Sequence, residues 1–460
     1  MPELDSSLVM KSCFEVISEA AANSPEKVSA LGISSQGEAF TALDSNGNYL
    51  CNAMVSSDSR AAAISSEWPE QFGIEKLYNI TGHAPHPMFT LFKLIWLKKK
   101  HPHLWDKTAK ICCFEDLLQY KLGVREPVMT YSLAGRTMLF DVKNHCWNTE
   151  ILDKIGLDKS KLSRPLPPGT VSGKVNRKTA EQLGLAADTI VVTGGHDQTC
   201  AALGAGVIAP GKAMLASGTV ECICPAIEKA VFSENMFKNN LCTYDYALPE
   251  VFTTVAFSLT GGNIFKWFRD NFGQPEVAEA AKTNSNVYKI MLDTLPEKPT
   301  KLHVLPYFTP TGTPYFDLDT PGAILGLRLS TSRNEMLKAL LEGVAMEMRL
   351  NLDVLQHSGI PVNSLTAVGG GAKSRKLIQL KADVLNTPIN CVDEPEAGCK
   401  GVALLAAAAK LQSRPQKLAT EWIKIQSTII PRREHTMEYA DKFEYYKNLY
   451  YSIKNFYNQF

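Results

Sequence analysis

The stretch 193–206, "TGGHDQTCAALGAG", joins a glycine pair to the carboxylate of Asp197 and then to a run of small residues. The preceding "TIVVT", at 189–193, is a continuous apolar run typical of a strand buried in a parallel sheet. A buried strand that ends in glycines and leads into a helix favours an α/β fold. Asp197 then follows the strand directly, where its carboxylate faces either a cleft or a tight turn into the core.

The same pattern of strand and glycine turn occurs twice more. The segment 212–224, "KAMLASGTVECIC", predicts two strands around a bend at Ser217-Gly218-Thr219, and 365–385, "LTAVGGGAKSRKLIQLKADVL", predicts a strand, a glycine turn and a long helix. Glycines at strand ends let backbone N–H groups approach an anion, and a following helix adds its positive N-terminal dipole. Any one of these turns alone is equally consistent with close backbone packing.

The rest of the chain mixes helices and strands. The sequence predicts a helix near residues 8–17, a strand at 28–34, a hairpin turning at Asn46-Gly47, and amphipathic helices in 89–105 and 112–123. Its 460 residues exceed the roughly 250–300 at which a single core stops growing. We therefore expect two domains, 1–203 and 204–460, with a tight junction between them.

Composition excludes several classes of function. The net charge is +1, and no stripe of Lys and Arg is interleaved with aromatic residues, so a nucleic-acid partner is not expected. No apolar run reaches about 18 residues, and the acidic start "MPELDSS" is unlike a signal peptide, so we expect a cytoplasmic protein without a membrane segment. The 11 cysteines lack C-x-x-C spacing and are interpreted as reduced thiols. The predicted partner is a small molecule.

The glycine turns and Asp197 together suggest a chemistry. A carboxylate can accept a proton, "SGT" offers a hydroxyl and backbone donors, and "GGGAKS" at 369–374 offers a flat surface for a purine. These are the parts of a sugar or polyol kinase without a P-loop, because G-x-x-x-x-G-K-[ST] is absent from the sequence.

Seven motifs in order resemble the FGGY family of carbohydrate kinases, within the actin-like, RNase H-like ATPase superfamily. The resemblance implies two RNase H-like α/β domains that flank a deep cleft, with the sugar held mainly by the first and the nucleotide by the second. The motifs are "GISSQGEAF" (32–40), "SSDSRA" (56–61), "GGHDQ" (194–198), "ASGTVECI" (216–223), "YFTPTGTPYFDLDTPGAILGL" (307–327), "VGGGAKSRKLIQLKADVLNTPI" (368–389) and "EAGCKGVALLAA" (396–407).

The resemblance also implies roles for individual residues. Asp197 would be the general base for the attacking sugar hydroxyl, a role that suits a carboxylate because alcohols have pKa values far above neutrality. ATP would bind with Mg2+ bridging its phosphates, and the resemblance assigns no metal ligand in this chain. The expected substrate-binding residues are Gln36, Glu38, Asp58, Arg60 and Gln198; Gly218 and Thr219 would hold the phosphates, and Gly261, Gly262, Gly370, Gly371 and Ala372 would line the nucleotide pocket.

Simpler interpretations stay open for several of these residues. Gln36 and Glu38 could be polar residues at a hairpin edge, and Asp58 with Arg60 could form a surface ion pair. His196 is interpreted as structural, because the family assigns the base to its neighbour. The two histidines of "HAPH" at 83–86 are expected to lie in a solvent loop rather than to bind a metal.

One departure from the family concerns its first phosphate loop. Family members begin with a strand and hairpin that carry an Asp-x-Gly-Thr motif, whereas this sequence begins at the helix that follows that unit and contains no such motif. The N-terminal domain would then lack its leading strands, which leaves a strand edge unpaired. Three interpretations remain: an incomplete record of an active kinase, a short form that binds ligands with little activity, or completion of the site by another segment or chain.

The substrate class is predicted only broadly. Gln36-Gly37-Glu38 stands where many relatives carry a larger central residue, so the glycine is expected to leave space in the pocket. A ketose or linear polyol is therefore the expected acceptor. The alternative is a catalytically impaired sugar- or nucleotide-binding protein derived from a kinase. A homodimer is a further possibility through the apolar helix 337–350, although such a stripe is usually core.

Overall fold

The computed structural model describes residues 2–459, and its N-terminal half contains ten α-helices and eleven strands. The helices are α1 (Ser6–Ala22), α2 (Ala62–Phe72), α3 (Ile74–Thr81), α4 (Thr90–Lys100), α5 (Pro102–Lys107), α6 (Phe114–Lys121), α7 (Tyr131–Gly135), α8 (Thr149–Ile155), α9 (Arg177–Gln182) and α10 (Asp197–Gly204). The strands are β1 (Glu3–Leu4), β2 (Ala30–Ser35), β3 (Phe40–Leu43), β4 (Ala53–Met54), β5 (Lys110–Cys113), β6 (Val128–Thr130), β7 (Phe140–Asp141), β8 (Cys146–Trp147), β9 (Arg164–Leu166), β10 (Val171–Lys174) and β11 (Ile190–His196).

The C-terminal half continues the alternation of strands and helices. Its strands are β12 (Lys212–Ser217), β13 (Glu221–Pro225), β14 (Tyr244–Asp245), β15 (Phe252–Thr253), β16 (Ala256–Ser258), β17 (His303–Leu305), β18 (Ala323–Leu325), β19 (Ser364–Val368), β20 (Ile389–Val392) and β21 (Ile425–Ile429). Its helices are α11 (Glu234–Lys238), α12 (Gly262–Phe272), α13 (Gln274–Thr283), α14 (Val287–Asp293), α15 (Arg333–His357), α16 (Arg375–Leu385), α17 (Ala397–Leu411), α18 (Pro415–Trp422) and α19 (Arg433–Tyr457).

A six-stranded sheet organises the C-terminal half, in the order β16-β13-β12-β19-β20-β21. Strands β12, β13 and β16 form an antiparallel meander, and β19 lies parallel to both β12 and β20. The strand–turn–strand and strand–glycine–helix patterns predicted around residues 212–224 and 365–385 are confirmed, because β12–β13 and β19–α16 have those forms. The turn at 217–219 and the glycine turn at 369–371 therefore follow β12 and β19, which are neighbours in one sheet.

The N-terminal half has a smaller sheet, β10-β11-β2, beside a separate sheet of order β1-β4-β3-β5. Strand β2 is parallel to β11, as the apolar run "TIVVT" predicted. Within residues 2–459, β2 pairs on one edge only, whereas β19 pairs with a strand on each side. The outer strands of any open sheet pair on one side only, so the absence of the family's leading strands stays a prediction.

Glycines bring α10 of the first half into backbone contact with α17 of the second. A Cβ at Gly204 would lie 1.9 Å from the Ala397 carbonyl oxygen, and a Cβ at Gly401 would lie 2.0 Å from the Cys200 carbonyl oxygen. Real Cβ atoms do not approach backbone this closely, so no other residue fits at either position without moving a helix. This contact fixes α10, which begins at Asp197, relative to the second half of the chain.

Two expectations about exposure are resolved by the core. The "HAPH" segment is not a solvent loop: His83 is fully buried, its ring packs edge-on against Phe89, and burial lowers the pKa of His83 to about 3. That expectation was wrong because neighbouring prolines suggested an exposed loop, whereas Phe89 and the distant Tyr244 cover the ring of His83. The apolar stripe of α15 packs inside its own domain, so it is core and offers no dimer face.

Two adjacent carboxyl groups are buried at the start of α6. Glu115 accepts hydrogen bonds from the backbone N–H of Thr130 and of Gly194, and thereby joins β6 to the strand that leads to Asp197. Asp116 is fully buried and accepts a 2.6 Å hydrogen bond from the Ser163 hydroxyl. Burial raises the pKa of each carboxyl group to about 7, and the charge of Glu115 adds to the rise at Asp116.

We expect Asp116→Asn to change how stability depends on pH. The raised pKa means that the folded chain keeps a proton which the unfolded chain releases above about pH 4, so this contribution to stability is lost as pH rises towards 7. The free energy of unfolding of the natural chain, relative to the variant, should fall by up to about 1.4 kcal/mol per pH unit in that window. Urea unfolding from pH 5 to 8 measures it, with exposed Asp188→Asn as control. Parallel pH curves for the natural chain and Asp116→Asn would contradict the expectation.

Candidate active site

Asp197 begins α10 directly after β11, at the carboxyl end of a parallel strand pair. Its side chain is 46% exposed, yet its Oδ1 atom is buried and has no hydrogen-bond partner among residues 2–459. The exposure therefore belongs to the rest of the carboxylate, which leaves Oδ2 open. A carboxylate with one oxygen enclosed and the other accessible suits an acceptor for a ligand's proton.

His196 is buried between the Asp197 carboxylate and the Tyr244 hydroxyl. Its Nε2 atom lies 3.2 Å from Asp197 Oδ1, and its Nδ1 atom lies 3.0 Å from the hydroxyl of buried Tyr244. Burial lowers the pKa of His196; the Asp197 and Glu38 carboxylates oppose this, but burial together with the neighbouring Arg136 guanidinium outweighs them. The imidazole is therefore neutral at pH 7, so His196 is a polar neighbour of the carboxylate rather than a cation.

Glu38 is buried in an ion pair with Arg136, a residue that the sequence did not single out. The Arg136 guanidinium also lies over the rings of Phe89 and Tyr244. Burial by itself would raise the pKa of Glu38, but the Arg136 guanidinium, the hydrogen bond from Ser56 and the charge of Lys93 outweigh it and hold that pKa below its ordinary value. Glu38 is therefore an ionised carboxylate in a closed network, and not a polar residue at a hairpin edge.

The space expected beside Gly37 is occupied. A Cβ at Gly37 would lie 3.1 Å from Arg136 Cβ and 3.2 Å from His196 Cδ2. The expectation that the glycine leaves room in the pocket was wrong, because two side chains distant in sequence fill that position. The same contacts bring the half-buried Gln36 and its loop to the residue that precedes Asp197.

Lys93 anchors the loop that carries Glu38. Its ammonium group is buried in α4 and donates hydrogen bonds of 3.0, 3.2 and 3.1 Å to the carbonyl oxygens of Glu38, Met54 and Val55. Burial lowers the pKa of Lys93 to about 8. Glu38 itself has φ of +62°, a left-handed conformation that non-glycine residues seldom adopt. Lys93 and the Thr90 hydroxyl, which also donates to the Glu38 carbonyl, hold this conformation.

Asp58 and Arg60 form a buried ion pair rather than a surface pair. Their side chains are 0% and 4% exposed, and the Arg60 Nε donates a 2.6 Å hydrogen bond to Asp58 Oδ2. Arg60 also donates to Glu3 and stacks over Trp96 at 4.8 Å. In residues 2–459, none of the hydrogen bonds of this pair reaches Asp197.

Gln198 contacts the second half of the chain. Its Oε1 accepts a hydrogen bond of 2.9 Å from the thiol of Cys222 on β13. The residue after Asp197 is thus tied to the hairpin that carries Gly218 and Thr219 at its turn. At this contact, the segment predicted to bind the sugar meets the hairpin predicted to bind the phosphates.

The predicted nucleotide residues are brought together from three segments. The backbone N–H of Gly262 donates to the Gly218 carbonyl at 2.8 Å, and that of Asn263 donates to the Thr219 carbonyl at 3.3 Å. A Cβ at Gly371 would lie 2.2 Å from the Ser217 hydroxyl oxygen. Gly218 and Thr219 are exposed, Gly261 is buried, and Gly370 is exposed with Gly371 and Ala372 half-buried beside it.

The two halves of the chain match the two domains of a known protein family. The N-terminal domain of the FGGY family of carbohydrate kinases matches residues 3–204, and its C-terminal domain matches residues 213–410. The chain belongs to the FGGY family of carbohydrate kinases. It is therefore an ATP-dependent sugar kinase by type, a phosphotransferase, and the two-domain actin-like ATPase fold expected from the sequence is confirmed.

Similar proteins include kinases that are named for different sugars. Xylulose kinase of Bacillus subtilis is 26% identical over 430 residues, or 93% of this chain and 84% of that protein. Gluconokinase of Bacillus licheniformis is 26% identical over 436 residues, or 94% of this chain and 84% of that protein. Ligand-bound xylulose kinase from Lactobacillus acidophilus superposes with a TM-score of 0.90 at 22% identity, over 99% of this chain and 91% of that chain, which is a likeness of fold.

No helix in residues 2–459 is both long and apolar enough to cross a membrane.

We expect Lys93→Met to loosen the loop around Glu38. Methionine fills similar space but cannot donate a hydrogen bond, so the three carbonyl oxygens lose the donor that Lys93 provides. Leaving one buried acceptor without a hydrogen bond costs about 1–3 kcal/mol. The free energy of unfolding should fall by at least this amount, and amide hydrogen exchange should accelerate in residues 36–40. Lys99→Met, on the exposed face of the same helix, is the matched control. Identical stability and exchange in the two variants would contradict the role given to Lys93.

Proposed function

We propose that the chain transfers the γ-phosphoryl group of ATP to a hydroxyl of a ketose or linear polyol, with Asp197 as general base. The observation that carries this proposal is the Asp197 carboxylate, with Oδ1 buried beside His196 and the side chain otherwise 46% exposed at the start of α10. An accessible carboxylate oxygen at that position can take the hydroxyl proton as the new O–P bond forms. The proton moves from the sugar oxygen to Asp197, while the bond between the γ-phosphorus and the oxygen that bridges it to the β-phosphate breaks and ADP leaves with that oxygen.

The neighbours of Asp197 support this role. His196 is neutral, lies 3.0 Å from the Tyr244 hydroxyl and presents an uncharged polar edge to Oδ1. It therefore forms no ion pair that would lower the basicity of the Asp197 carboxylate. The loop of Gln36 and Glu38 meets His196, the residue before Asp197, through Gly37, and Gln198 follows Asp197 in sequence. We infer that Gln36, Glu38 and Gln198 orient the sugar. Asp58 and Arg60 would act through the loop that they stabilise.

The phosphates are proposed to lie against Gly218 and Thr219. These residues form an exposed turn next to Gly261 and Gly262, and the flat surface of Gly370, Gly371 and Ala372 lies on its other side. A glycine-lined surface lets a nucleotide approach the backbone closely. We infer that the adenosine moiety occupies this surface, and that the boundary between sugar and nucleotide domains falls at residues 203/204.

A magnesium ion would bind here together with the nucleotide, and not at a separate protein site. Within the described residues there is no cluster of three His, Cys, Asp or Glu side chains that could hold a metal by itself. Mg2+ commonly keeps several waters and binds through substrate phosphates, so it needs no dedicated cluster of protein ligands here, and Asp197 stays free to act as the base. When bound, the ion would neutralise phosphate charge.

The acceptor is proposed at the level of a class. The named relatives act on xylulose and gluconate, so an aldonic acid is tested beside ketoses and linear polyols. Cytoplasmic location is proposed with it, and so is a homodimer through a surface other than α15; size-exclusion chromatography with light scattering measures the oligomeric state.

We expect Asp197→Asn to abolish sugar-dependent ADP release while leaving Mg2+-ADP binding within about threefold, because the amide keeps the shape but cannot accept the proton. One lost catalytic contact of this kind commonly lowers the rate about 100-fold or more. The assay supplies Mg2+-ATP and the panel of ketoses, polyols and aldonic acids to the full chain. Asp188→Asn, far more exposed, controls for charge removal.

The outcomes separate the proposal from its rival. Sugar-dependent release that is lost only in Asp197→Asn supports a kinase with this base. A natural chain that binds Mg2+-ADP and is stabilised by a sugar, but releases no ADP, would favour a non-catalytic binding protein instead. Loss of nucleotide binding in Asp197→Asn would remove its assignment as base.

A further inference from the structure

A buried ion pair lies directly beneath the predicted phosphate turn. The Lys381 ammonium group, on α16, donates to the Glu221 carboxylate and, at 2.6 Å, to the Ser217 hydroxyl. All three residues are at most 3% exposed. Ser217 ends β12 and Glu221 begins β13, and the two face each other across the hairpin. Lys381 therefore clamps the base of the turn that carries Gly218 and Thr219.

This cluster touches every segment assigned to the nucleotide. A Cβ at Gly371 would lie 2.2 Å from the Ser217 hydroxyl oxygen, and a Cβ at Gly369 would lie 2.9 Å from the Ser217 carbonyl oxygen. A Cβ at Gly261 would lie 2.8 Å from Glu221 Cγ. The ion pair thus lies where the three glycine-containing segments converge.

The two charges are not equivalent in their effect on a phosphate. Glu221 is a buried carboxylate, and its Oε2 atom has no hydrogen-bond partner in residues 2–459, so Lys381 provides its main compensation. A negative charge beneath a site for phosphates opposes their binding, and a positive charge favours it. Removal of one member of a buried pair leaves the other uncompensated.

We propose that Lys381 is a positioning residue for the nucleotide. It fixes the turn at 218–219 against the glycines at 369–371, and it cancels the charge of Glu221 under the phosphates. This inference rests on the proposed nucleotide site. It assigns no direct contact between Lys381 and the ligand, because the ammonium group is enclosed by the protein.

The test compares Mg2+-ADP binding by calorimetry in full-length variants. Lys381→Met should weaken binding at least about tenfold, whereas Glu221→Gln should bind as tightly as the natural chain or more tightly. The double variant should return to within about threefold of the natural chain, since neither charge remains. A merely structural pair would instead weaken binding in both single variants. Lys376→Met, exposed on the same helix, is the matched control.

Unchanged binding in Lys381→Met overturns the inference, and so does a double variant as weak as Lys381→Met, which would mean that the lysine acts without Glu221. If Lys381→Met does not give a cooperative melt, Glu221→Gln alone carries the test, and weaker binding there overturns the inference. A natural chain that fails to bind Mg2+-ADP removes the nucleotide site itself, and with it both proposals.

Discussion

The backbone contact between α10 and α17 is the constraint on which the rest of the site depends. Asp197 begins α10, and the glycines at 204 and 401 let that helix meet α17 at a distance that no side chain permits. Because α17 belongs to the part of the chain matched by the C-terminal domain, the contact fixes the helix that begins at Asp197 against that domain. Gln198 extends the same junction through its hydrogen bond with Cys222.

Buried charges stabilise the loops on both sides of this junction. Lys93 holds the Glu38 loop through three carbonyl oxygens, and Lys381 holds the hairpin at 217–221 from below. An ammonium group enclosed by protein needs several acceptors to offset its desolvation. Each lysine therefore fixes, from within the protein interior, a loop that is proposed to face a ligand.

The sequence predicted the parts of the fold that depend on local patterns. The strand 190–196, the hairpin at 212–225 and the glycine turn at 369–373 were recognisable because apolar runs end in glycines there. Arg136, Tyr244 and the space around Gly37 were not, because their contacts join residues far apart in the chain. One signal was available: Lys93 interrupts the apolar run "LFKLIW", where a lysine is out of place unless its charge is satisfied.

The most direct test of the central claim is a crystal structure of the chain with Mg2+-ADP and the acceptor identified by turnover. Asp197 as base predicts that one sugar hydroxyl oxygen lies about 2.6–3.2 Å from its open carboxylate oxygen. The same structure should show the β-phosphate against Gly218 and Thr219. A sugar whose hydroxyls all lie beyond hydrogen-bonding reach of Asp197, in a complex with the two domains closed, would contradict the claim.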